Sequence, residues 1–230
     1  MKELHNQHEG TMKKQKEMFL EDEGDNWFER NSEEEATHEI EIKLLPYLQR
    51  INPRQLLEIG CGTGVRLDFL SKHMPNCSFW GVDPAQKATE HEHATYSVLR
   101  ATADELPFEN SQFDIVLVGF CLTYCDVEDF FKIASEIDRV LNDKGMLVII
   151  DFEPPFEYQN PYAYREGMWT TKMQFRNMFC WHPSYTLSEV FPFSHESDHF
   201  HPDPNERLSV SIIHKLPGVN VLTPPYQPAI

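Results

Sequence analysis

Three glycines and a nearby acid are the residues of this chain whose types and spacing first suggest chemistry. Gly60, Gly62 and Gly64 alternate directly after residues 56–59, an apolar stretch whose single polar member is Glu58. Glycine is needed where the backbone takes positive φ or approaches a ligand closely, because a Cβ would collide there. A buried strand, a glycine turn and a helix in this order predict a nucleotide-like ligand at the carboxyl end of the strand.

The spacing of these glycines argues against two common nucleotide sites. The dinucleotide fingerprint requires its third glycine one position after Gly64, where this chain has Val65. No Lys-Ser or Lys-Thr pair follows the turn to hold a triphosphate. The turn therefore favours a ligand other than NAD or ATP.

A second acid, Asp83, ends the next apolar stretch, residues 78–82. The interval from the glycine turn accommodates one strand–helix–strand unit, and an acid at the end of the second strand is where a ribose diol is held. A carboxylate can accept hydrogen bonds from both hydroxyls of such a diol. The alternative is that Asp83 and Pro84 only form the turn that starts the next helix.

Residues 58–64 resemble motif I of the class I S-adenosylmethionine (SAM)-dependent methyltransferases, in which E/D-x-G-x-G-x-G follows the first strand. The resemblance extends over residues 56–151. It includes the strand that ends at Asp83, the Ala-Asp-Glu-Leu-Pro-Phe loop at 103–108, and a helix, turn and strand at 136–150. It implies SAM as the cofactor, S-adenosylhomocysteine as its product, and methyl transfer as the reaction.

The same resemblance implies how the cofactor would be held. Asp104 would accept a hydrogen bond from the exocyclic amine of adenine, and Glu105 and Leu106 would form the adenine wall. The backbone at Gly119 and Phe120, after the fourth strand, would accept from the methionine amino group. The cofactor-binding residues predicted in this way, together with Arg30 discussed below, are Arg30, Glu58, Gly60, Gly62, Asp83, Asp104, Glu105 and Phe120.

Residues 1–50 are predicted to form an N-terminal segment that covers the cofactor site. The segment begins polar and acidic, so we expect a loose terminus with one short helix at 11–20. Ser32 is followed by three glutamates, which is typical of a helix N-cap with acids in the first turn. This pattern predicts a second helix that ends at about Arg50.

Two aromatic residues and an arginine, Trp27, Phe28 and Arg30, lie between these two helices. We predict that this segment folds over the cofactor and that Arg30 pairs with the methionine carboxylate. The alternative is that Trp27 and Phe28 only close the core. The Trp-x-x-Arg-Asn pattern is also similar to a segment of sugar-modifying methyltransferases of surface-polysaccharide pathways.

The rest of the chain predicts an α/β fold with a Rossmann-like, doubly wound sheet. The resemblance implies seven strands in the order 3-2-1-4-5-7-6, with strand 7 antiparallel. We assign residues 51–216 to the methyltransferase domain, with an aromatic-rich acceptor insert at about 152–182, and 217–230 to an irregular tail. Predicted helices are 65–72, 85–93, 126–141 and 169–179, and predicted strands are 78–83, 96–100, 113–118, 146–150, 186–193 and 208–216.

The acceptor pocket is expected between Tyr124, the insert and the Trp27 region. A hydroxyl acceptor must lose its proton, whereas an amine must only be neutral. Side chains that could orient an acceptor or take its proton are Tyr124, Tyr162 and His182, together with Tyr164 and Arg165. No motif singles out one of them, so the catalytic residue stays unassigned.

Composition limits the partners. The formal net charge is −17 and is distributed along the chain. Such a surface repels phosphate backbones and anionic lipid, so we expect neither nucleic acid nor a membrane as partner. No apolar run reaches the roughly 18 residues of a membrane span, and no apolar leader is visible. We therefore expect a cytoplasmic protein, whose oligomeric state the sequence leaves open.

Cysteines and histidines give no sign of a metal centre. Five cysteines without a Cys-x-x-Cys pair indicate reduced thiols rather than a disulfide framework or a zinc site. His195, His199 and His201, with Asp203 nearby, have types that bind metals. Because a polar loop between strands is usually solvated, we predict no bound metal there.

The leading hypothesis is a SAM-dependent methyltransferase acting on a small polar acceptor, with a sugar or nucleotide-sugar as one candidate. An alternative within enzymes is methylation of a peptide or protein side chain. A third possibility is a SAM-binding protein without transferase activity, since no acceptor-site motif is recognisable. An NAD-dependent oxidoreductase is disfavoured by the glycine spacing.

Overall fold

A seven-stranded sheet forms the centre of the computed structural model, which describes residues 13–32, 39–90, 95–195 and 197–216. Its strands are β1 Gln55–Ile59, β2 Ser78–Asp83, β3 Tyr96–Arg100, β4 Phe113–Gly119, β5 Leu141–Phe152, β8 Tyr185–Phe193 and β9 Leu208–Lys215, and a separate hairpin contains β6 Tyr158–Pro161 and β7 Trp169–Lys172. The order in the sheet is β3-β2-β1-β4-β5-β9-β8. Strands β1 to β5 pair in parallel, and β9 runs antiparallel to both of its neighbours. With the hairpin set aside, this confirms the predicted order and the antiparallel last strand.

Helices cover both faces of the sheet. They are α1 Gln15–Met18, which continues as a π-helical turn over Phe19–Glu23, then α2 Gly24–Asn31, α3 Glu39–Arg50, α4 Val65–His73, α5 Gln86–Glu90, α6 Phe130–Val140 and α7 Asn177–Cys180. None of the helices in the described ranges is long and apolar enough to cross a bilayer.

Strand β1 shows why the sequence around the glycine turn is apolar on both sides of Glu58. Leu56 packs with α3 and α4 on one face, whereas Leu57 packs with α6 and α7 on the other. A central parallel strand buried on both faces needs this near-continuous apolar run. The carboxyl ends of β1, β2 and β4 thereby meet at one edge of a rigid sheet.

The segment at about 152–182, predicted to be an acceptor insert, differs from its predicted secondary structure. The expected helix at 169–179 is wrong, because Trp169–Lys172 forms strand β7 and only Asn177–Cys180 is helical. Thr170 and Thr171 are β-branched and pair antiparallel with β6, which fits their preference for extended backbone.

The boundaries of three further elements differ from their predictions. Helix α6 begins at Phe130 after a 3₁₀ turn, rather than at residue 126. Strand β5 includes the predicted turn at 142–145, where Lys144 has φ 65° and the pairing with β4 shifts register. In the described part of the predicted helix at 11–20, only Gln15–Met18 is α-helical, and the backbone then continues as a π-helix.

Several predictions fall partly outside the described residues. Ser32 follows α2, and its hydroxyl donates to the carbonyl of Glu29 at 3.1 Å. The first turn predicted after Ser32, the end of the predicted helix at 85–93 and the tail at 217–230 lie outside the described ranges. All five cysteines are free thiols in the structure.

A prediction about the turn follows from the space around Gly64. This residue has φ 78°, and an added Cβ would lie 2.0 Å from the hydroxyl oxygen of Tyr96. Gly167 has a similar φ of 82°, but an added Cβ would meet only Met18 Cε, at 4.0 Å. We expect Gly167→Ala to cost roughly 1–2 kcal/mol through backbone strain alone, and Gly64→Ala to cost clearly more.

The test is a double-mutant cycle by thermal or urea unfolding. Tyr96→Phe removes the colliding oxygen, so the double variant Gly64→Ala with Tyr96→Phe should be less destabilised than the sum of the two single variants, by about 1 kcal/mol or more. Additive losses would show that the crowding has no energetic effect.

Candidate functional site

The glycine turn after β1 is tied to the end of β2 by three hydrogen bonds. The N–H groups of Gly60 and Cys61 both donate to the carbonyl of Val82, at 2.8 and 3.1 Å. The N–H of Gly62 donates to Asp83 Oδ2 at 2.8 Å. Gly60 and Gly62 have φ of 72° and 49°, a region that residues with a Cβ rarely adopt. The turn and the β2 carboxylate are therefore one structural unit.

A cavity of about 480 Å³ lies beside this unit. The volume falls within the roughly 300–1,000 Å³ of small-molecule and cofactor sites. Five of the predicted cofactor residues and one acceptor-site candidate are in its wall: Glu58, Gly60, Asp83, Asp104, Phe120 and Tyr124. The structure thus brings together residues from the ends of four strands, which the sequence separates widely.

Asp83 forms the turn that was considered as an alternative, and its role toward a ribose stays a prediction. It accepts the N–H of Ala85 at 2.9 Å as well as that of Gly62, so it also organises the turn toward α5. Its side chain lines the cavity while the residue is only 8% exposed. Burial raises the pKa of Asp83 to about 6, and the two N–H donors counteract this only in part.

Asp104 is held by cations that the sequence analysis did not identify. Its Oδ2 pairs with Lys16 Nζ at 2.5 Å and with Lys132 Nζ at 3.0 Å. Its Oδ1 accepts from the hydroxyl of Thr102 at 2.8 Å. Burial alone would raise the pKa of Asp104, but these three hydrogen bonds hold it well below its usual value. Asp104 is therefore a carboxylate under all ordinary conditions.

Lys16 belongs to the N-terminal strap, which consists of residues 13–18. Lys14 Nζ pairs with Asp129 Oδ1 at 2.7 Å, and the side chain of Gln15 donates to the carbonyl of Tyr124 at 2.9 Å. Lys16 and Tyr124 both line the cavity. The strap thus lies across the loop after β4 and the start of α6.

Trp27, in α2, reaches the glycine turn directly. A Cβ on Gly62 would lie 2.6 Å from the Trp27 ring, so only glycine leaves room for the indole there. Trp27 also lines the cavity, whereas Gly62 itself is not in the wall. That the N-terminal segment covers a bound cofactor stays a prediction, and this contact supports it.

Arg30, predicted to pair with the methionine carboxylate, lies outside the cavity wall. Its Nη2 donates to Glu23 Oε1 at 2.6 Å and to the hydroxyl of Tyr162 at 2.8 Å. Its guanidinium also lies 4.3 Å from the centre of the Tyr164 ring. Its predicted role is not supported by this placement, because Glu23 already neutralises the guanidinium.

The arginine in the cavity wall is instead Arg66, in the first turn of α4. Its Nη1 donates to Glu58 Oε1, and its Nε donates to Glu41 Oε1 at 2.8 Å. Burial raises the pKa of Glu58 to about 7, and the charge of Arg66 opposes that shift. The sequence signal for Arg66 was a basic residue two positions after the glycine turn.

Phe120 follows β4 in a strained backbone conformation. It has φ 51°, which is uncommon for a residue with a Cβ. Its N–H donates to the carbonyl of Ile150 at 2.8 Å, so the conformation is fixed by β5. Strain held by surrounding structure is typical of functional sites. Gly119 and Phe120 line the cavity, and the predicted role of their backbone stays a prediction.

The remaining candidates separate into two groups. Tyr162 packs edge-on against Tyr124, with 5.4 Å between ring centres, and lies near the cavity. Glu105 is exposed, and neither Glu105 nor Leu106 lines the cavity, so this placement does not support the predicted adenine wall. His182 is exposed and packs beside Tyr185, where β8 begins. Tyr185 pairs with Lys215 at the edge of the sheet opposite the cavity. His182 therefore lies away from the candidate site.

The histidine loop shows only pairwise contacts. His195 Nδ1 lies 2.9 Å from Glu206 Oε2, and His199 Nδ1 lies 3.1 Å from Asp198 Oδ1. Within the described ranges, no group of three or more histidine, cysteine, aspartate or glutamate side chains is arranged to hold a metal ion.

Three buried acids predict how stability depends on pH. Burial raises the pKa of Glu58 and of Asp151 to about 7, and that of Asp83 to about 6. In the unfolded chain these groups release their protons at lower pH, so the folded state binds more protons between about pH 5 and 7. Stability should therefore fall as pH rises through this window and level off above it.

Asp151→Asn tests this dependence. Asp151 is 2% exposed and accepts the N–H of Phe152 at 2.8 Å, a bond that asparagine can keep. The midpoint of thermal unfolding should drop less between about pH 5 and 7.5 in this variant than in wild type, by about 3 °C or more. Asp143→Asn, at an exposed position, is the control. Equal slopes in both variants would contradict the buried-charge explanation.

Comparison with known proteins finds a partial match to one family model and to several methyltransferases. Residues 56–145 match the family model described as a methyltransferase domain. The chain is 28% identical over 116 residues to demethylmenaquinone methyltransferase of Thermotoga maritima, covering 49% of this chain and 50% of that protein. It is 30% identical over 111 residues to phthiotriol/phenolphthiotriol dimycocerosates methyltransferase of Mycobacterium leprae, covering 45% and 40%. The matched region thus spans half or less of these relatives.

Solved structures agree on the fold. The 1,6-didemethyltoxoflavin-N1-methyltransferase of Burkholderia thailandensis, crystallised with its acceptor and S-adenosylhomocysteine, has a TM-score of 0.63 at 15% identity, covering 87% of this chain and 85% of that one. The N-methyltransferase NodS of Bradyrhizobium japonicum, with S-adenosylhomocysteine, has a TM-score of 0.59 at 16% identity, covering 84% and 99%. The sheet order and the solved structures show an α/β, Rossmann-like fold, and residues 56–145 are similar to a methyltransferase domain.

Proposed function

We propose that the whole protein transfers a methyl group from SAM to a small polar acceptor. One observation carries the proposal: the glycine turn, Asp83 and Asp104 converge on a single cavity of cofactor size. A strand-end carboxylate suits a ribose diol, and a loop carboxylate suits an adenine amine. These are the positions at which the family resemblance expects the nucleoside.

The charge of the cavity also fits SAM, which supplies an electrophilic methyl group on a cationic sulfonium. A wall dominated by carboxylates favours a cation over an anion. Two cations, Lys16 and Arg66, lie in the wall with the carboxylates of Glu41, Glu58, Asp83, Asp104, Asp126 and Asp129.

Methyl transfer from a sulfonium depends mainly on alignment, because the leaving group is already good. The contribution expected from the protein is proximity and exclusion of water. Phe19, Trp27 and Tyr124 form an aromatic part of the wall, with 5.7 Å between the ring centres of Phe19 and Tyr124. In this proposal they hold an acceptor with a flat or apolar face against the methyl donor.

The tyrosines favour acceptors that need no strong base. Burial raises the pKa of both Tyr124 and Tyr162, so their hydroxyls stay protonated at neutral pH. A protonated hydroxyl can orient an acceptor by a hydrogen bond but cannot take its proton. A neutral nitrogen, which needs no base to remove a proton before it attacks, is therefore the acceptor group that this site suits.

Relatives by name act on demethylmenaquinone or on phthiotriol and phenolphthiotriol dimycocerosates, and a structural neighbour on 1,6-didemethyltoxoflavin. These names support a small-molecule acceptor for this chain without selecting one. The sugar or nucleotide-sugar expected from the Trp27–Asn31 pattern belongs in the same acceptor panel. Methylation of a peptide or protein, and SAM binding without transfer, are the competing outcomes.

The acceptor class is tested with SAM labelled in its methyl group. Incubation with a small-metabolite fraction and a protein fraction, prepared separately, should place the label in the small molecules. Label recovered only in protein would establish the alternative enzyme class. If S-adenosylhomocysteine binds but no fraction accepts label, the protein binds SAM without transfer.

Asp83→Ala tests the cofactor assignment. Loss of a buried carboxylate that accepts from a ribose should weaken S-adenosylhomocysteine binding by about tenfold or more, measured by calorimetry. Circular dichroism should show that the variant is folded, and Asp143→Asn at the opposite edge of the sheet should bind like wild type. Unchanged affinity in Asp83→Ala would refute the ribose assignment.

A further inference from the structure

The carboxyl group of Asp151, near the end of β5, is buried with one oxygen that has no partner. Asp151 is 2% exposed, and one of its oxygens, Oδ1, accepts the N–H of Phe152 at 2.8 Å. The other oxygen, Oδ2, accepts no hydrogen bond from the residues that the structure describes. A buried carboxylate oxygen of this kind is costly, because it has lost its hydration without a replacement. The proposed cofactor site does not use Asp151, so its burial requires another explanation.

Lys172, in β7, lies close enough to Asp151 for their charges to interact, but it does not pair with the free oxygen. The Lys172 ammonium donates to the carbonyl of Asn205 at 3.3 Å and lies 3.9 Å from the centre of the Phe152 ring. Burial raises the pKa of Asp151 to about 7, although the charge of Lys172 opposes this shift. Asp151 therefore changes its charge near neutral pH, while the cation beside it is held by other groups.

The order of the strands places Asp151 at the acceptor end of the proposed site. The two nucleoside positions, Asp104 after β3 and Asp83 at the end of β2, lie on one side of β1 in the order β3-β2-β1-β4-β5. A ligand that extends from them along the edge of the sheet crosses β1 and reaches β4. The acceptor then approaches from the side of β4 and β5, where Asp151 is the penultimate residue of β5.

Two residues of the cavity wall, Cys121 and Tyr124, lie within reach of the charge of Asp151. Asp151 itself does not line the cavity, so it lies behind this part of the wall. A hydrogen bond with Cys125, together with burial, raises the pKa of Cys121, and burial raises that of Tyr124. Both side chains are therefore neutral at neutral pH. Among the described residues, Lys172 is then the charged group that faces Asp151.

We propose that the Asp151 carboxylate stabilises the positive charge that develops on the acceptor during methyl transfer. The assignment rests on the proposed function and deepens it, because it selects a neutral nitrogen as the acceptor group. The nitrogen lone pair forms the new N–C bond while the S–C electron pair stays on sulfur, so the positive charge moves from sulfur to nitrogen. An anion nearer to the nitrogen than to the sulfur lowers the barrier to this step. Since Asp151 acts across the wall and without contact, it is a positioning residue.

The missing partner of Asp151 fits this role. An ion pair with Lys172 would cancel most of the field of the carboxylate, whereas an unpaired charge in the protein interior acts more strongly at a distance than it would in water. The carboxylate is also fixed in place before an acceptor binds, so it does not have to reorganise during the reaction.

Sinefungin tests the charge at the transfer point without an acceptor. It carries an ammonium group at the position of the sulfonium methyl, whereas S-adenosylhomocysteine has an uncharged sulfur there. In wild type, the ratio of sinefungin affinity to S-adenosylhomocysteine affinity, measured by calorimetry, should rise between about pH 6 and 8 as Asp151 ionises. Asp151→Asn keeps the bond from the Phe152 N–H but not the charge, so its rise should be smaller by about threefold or more. Glu58 and Asp83 also ionise in this range, and the comparison between variants removes their contribution.

The rate of transfer provides a second measurement. With methyl-labelled SAM at saturation and the small-metabolite fraction as the source of acceptor, Asp151→Asn should be about tenfold slower than wild type at about pH 8 and closer to it at about pH 6. An equal loss of rate at both pH values would show a purely structural role and overturn the assignment.

Asp143→Asn, at an exposed position, is the matched control and should keep the wild-type affinity ratio at each pH. Lys172→Met removes the opposing cation, so the rise in the ratio should move to higher pH by about half a unit. This variant decides if Asp151→Asn does not fold by circular dichroism. Equal weakening of both ligands in Asp151→Asn, or a pH dependence like that of wild type in either variant, would overturn the assignment. Failure of wild type to bind either ligand would refute the proposed function itself, which is a distinct result.

Discussion

The site depends on one constraint, the hydrogen-bonded union of the β1 turn with the end of β2. A single carbonyl, that of Val82, accepts from both Gly60 and Cys61, and the adjacent carboxylate of Asp83 accepts from Gly62. This arrangement is possible only with left-handed backbone at the glycines. It directs three N–H groups of the turn to the end of β2 and also fixes Asp83 at the cavity. The side chain of Asp83 is thus positioned at the cavity wall by backbone geometry.

The electrostatics of the cavity follow from placing acids at buried strand ends. Glu58 and Asp83 acquire raised pKa values because burial outweighs their hydrogen bonds, whereas Asp104 has a lowered pKa because Lys16 and Lys132 reach it. The pKa of Asp104 differs from those of Glu58 and Asp83 because two lysines from other elements reach its carboxylate. Lys16 comes from the N-terminal strap, outside the region that matches the family model.

Local patterns predicted the parts of the fold that are locally determined. The strands around the glycine turn, and Asp83 at the end of β2, follow from apolar runs and a glycine spacing, so they were correctly placed. Lys16 was missed because its partner Asp104 lies 88 residues away, and Arg66 because its contacts with Glu58 and Glu41 join different elements, which no periodicity indicates. Strand β7 was wrongly predicted as part of a helix because its pairing with β6, rather than local sequence alone, sets its extended backbone.

The N-terminal strap and the insert are joined through one buried side chain. Gln15 donates to the carbonyl of Tyr124 and accepts the N–H of Trp169, so it links the strap, the loop after β4 and strand β7. Breaking either bond would leave a buried polar group unsatisfied, which couples the positions of the three segments. Because Tyr124 lines the cavity, its backbone cannot shift without disturbing this link. Residues outside the region that matches the family model therefore help to position the loop at Tyr124, which lines the cavity.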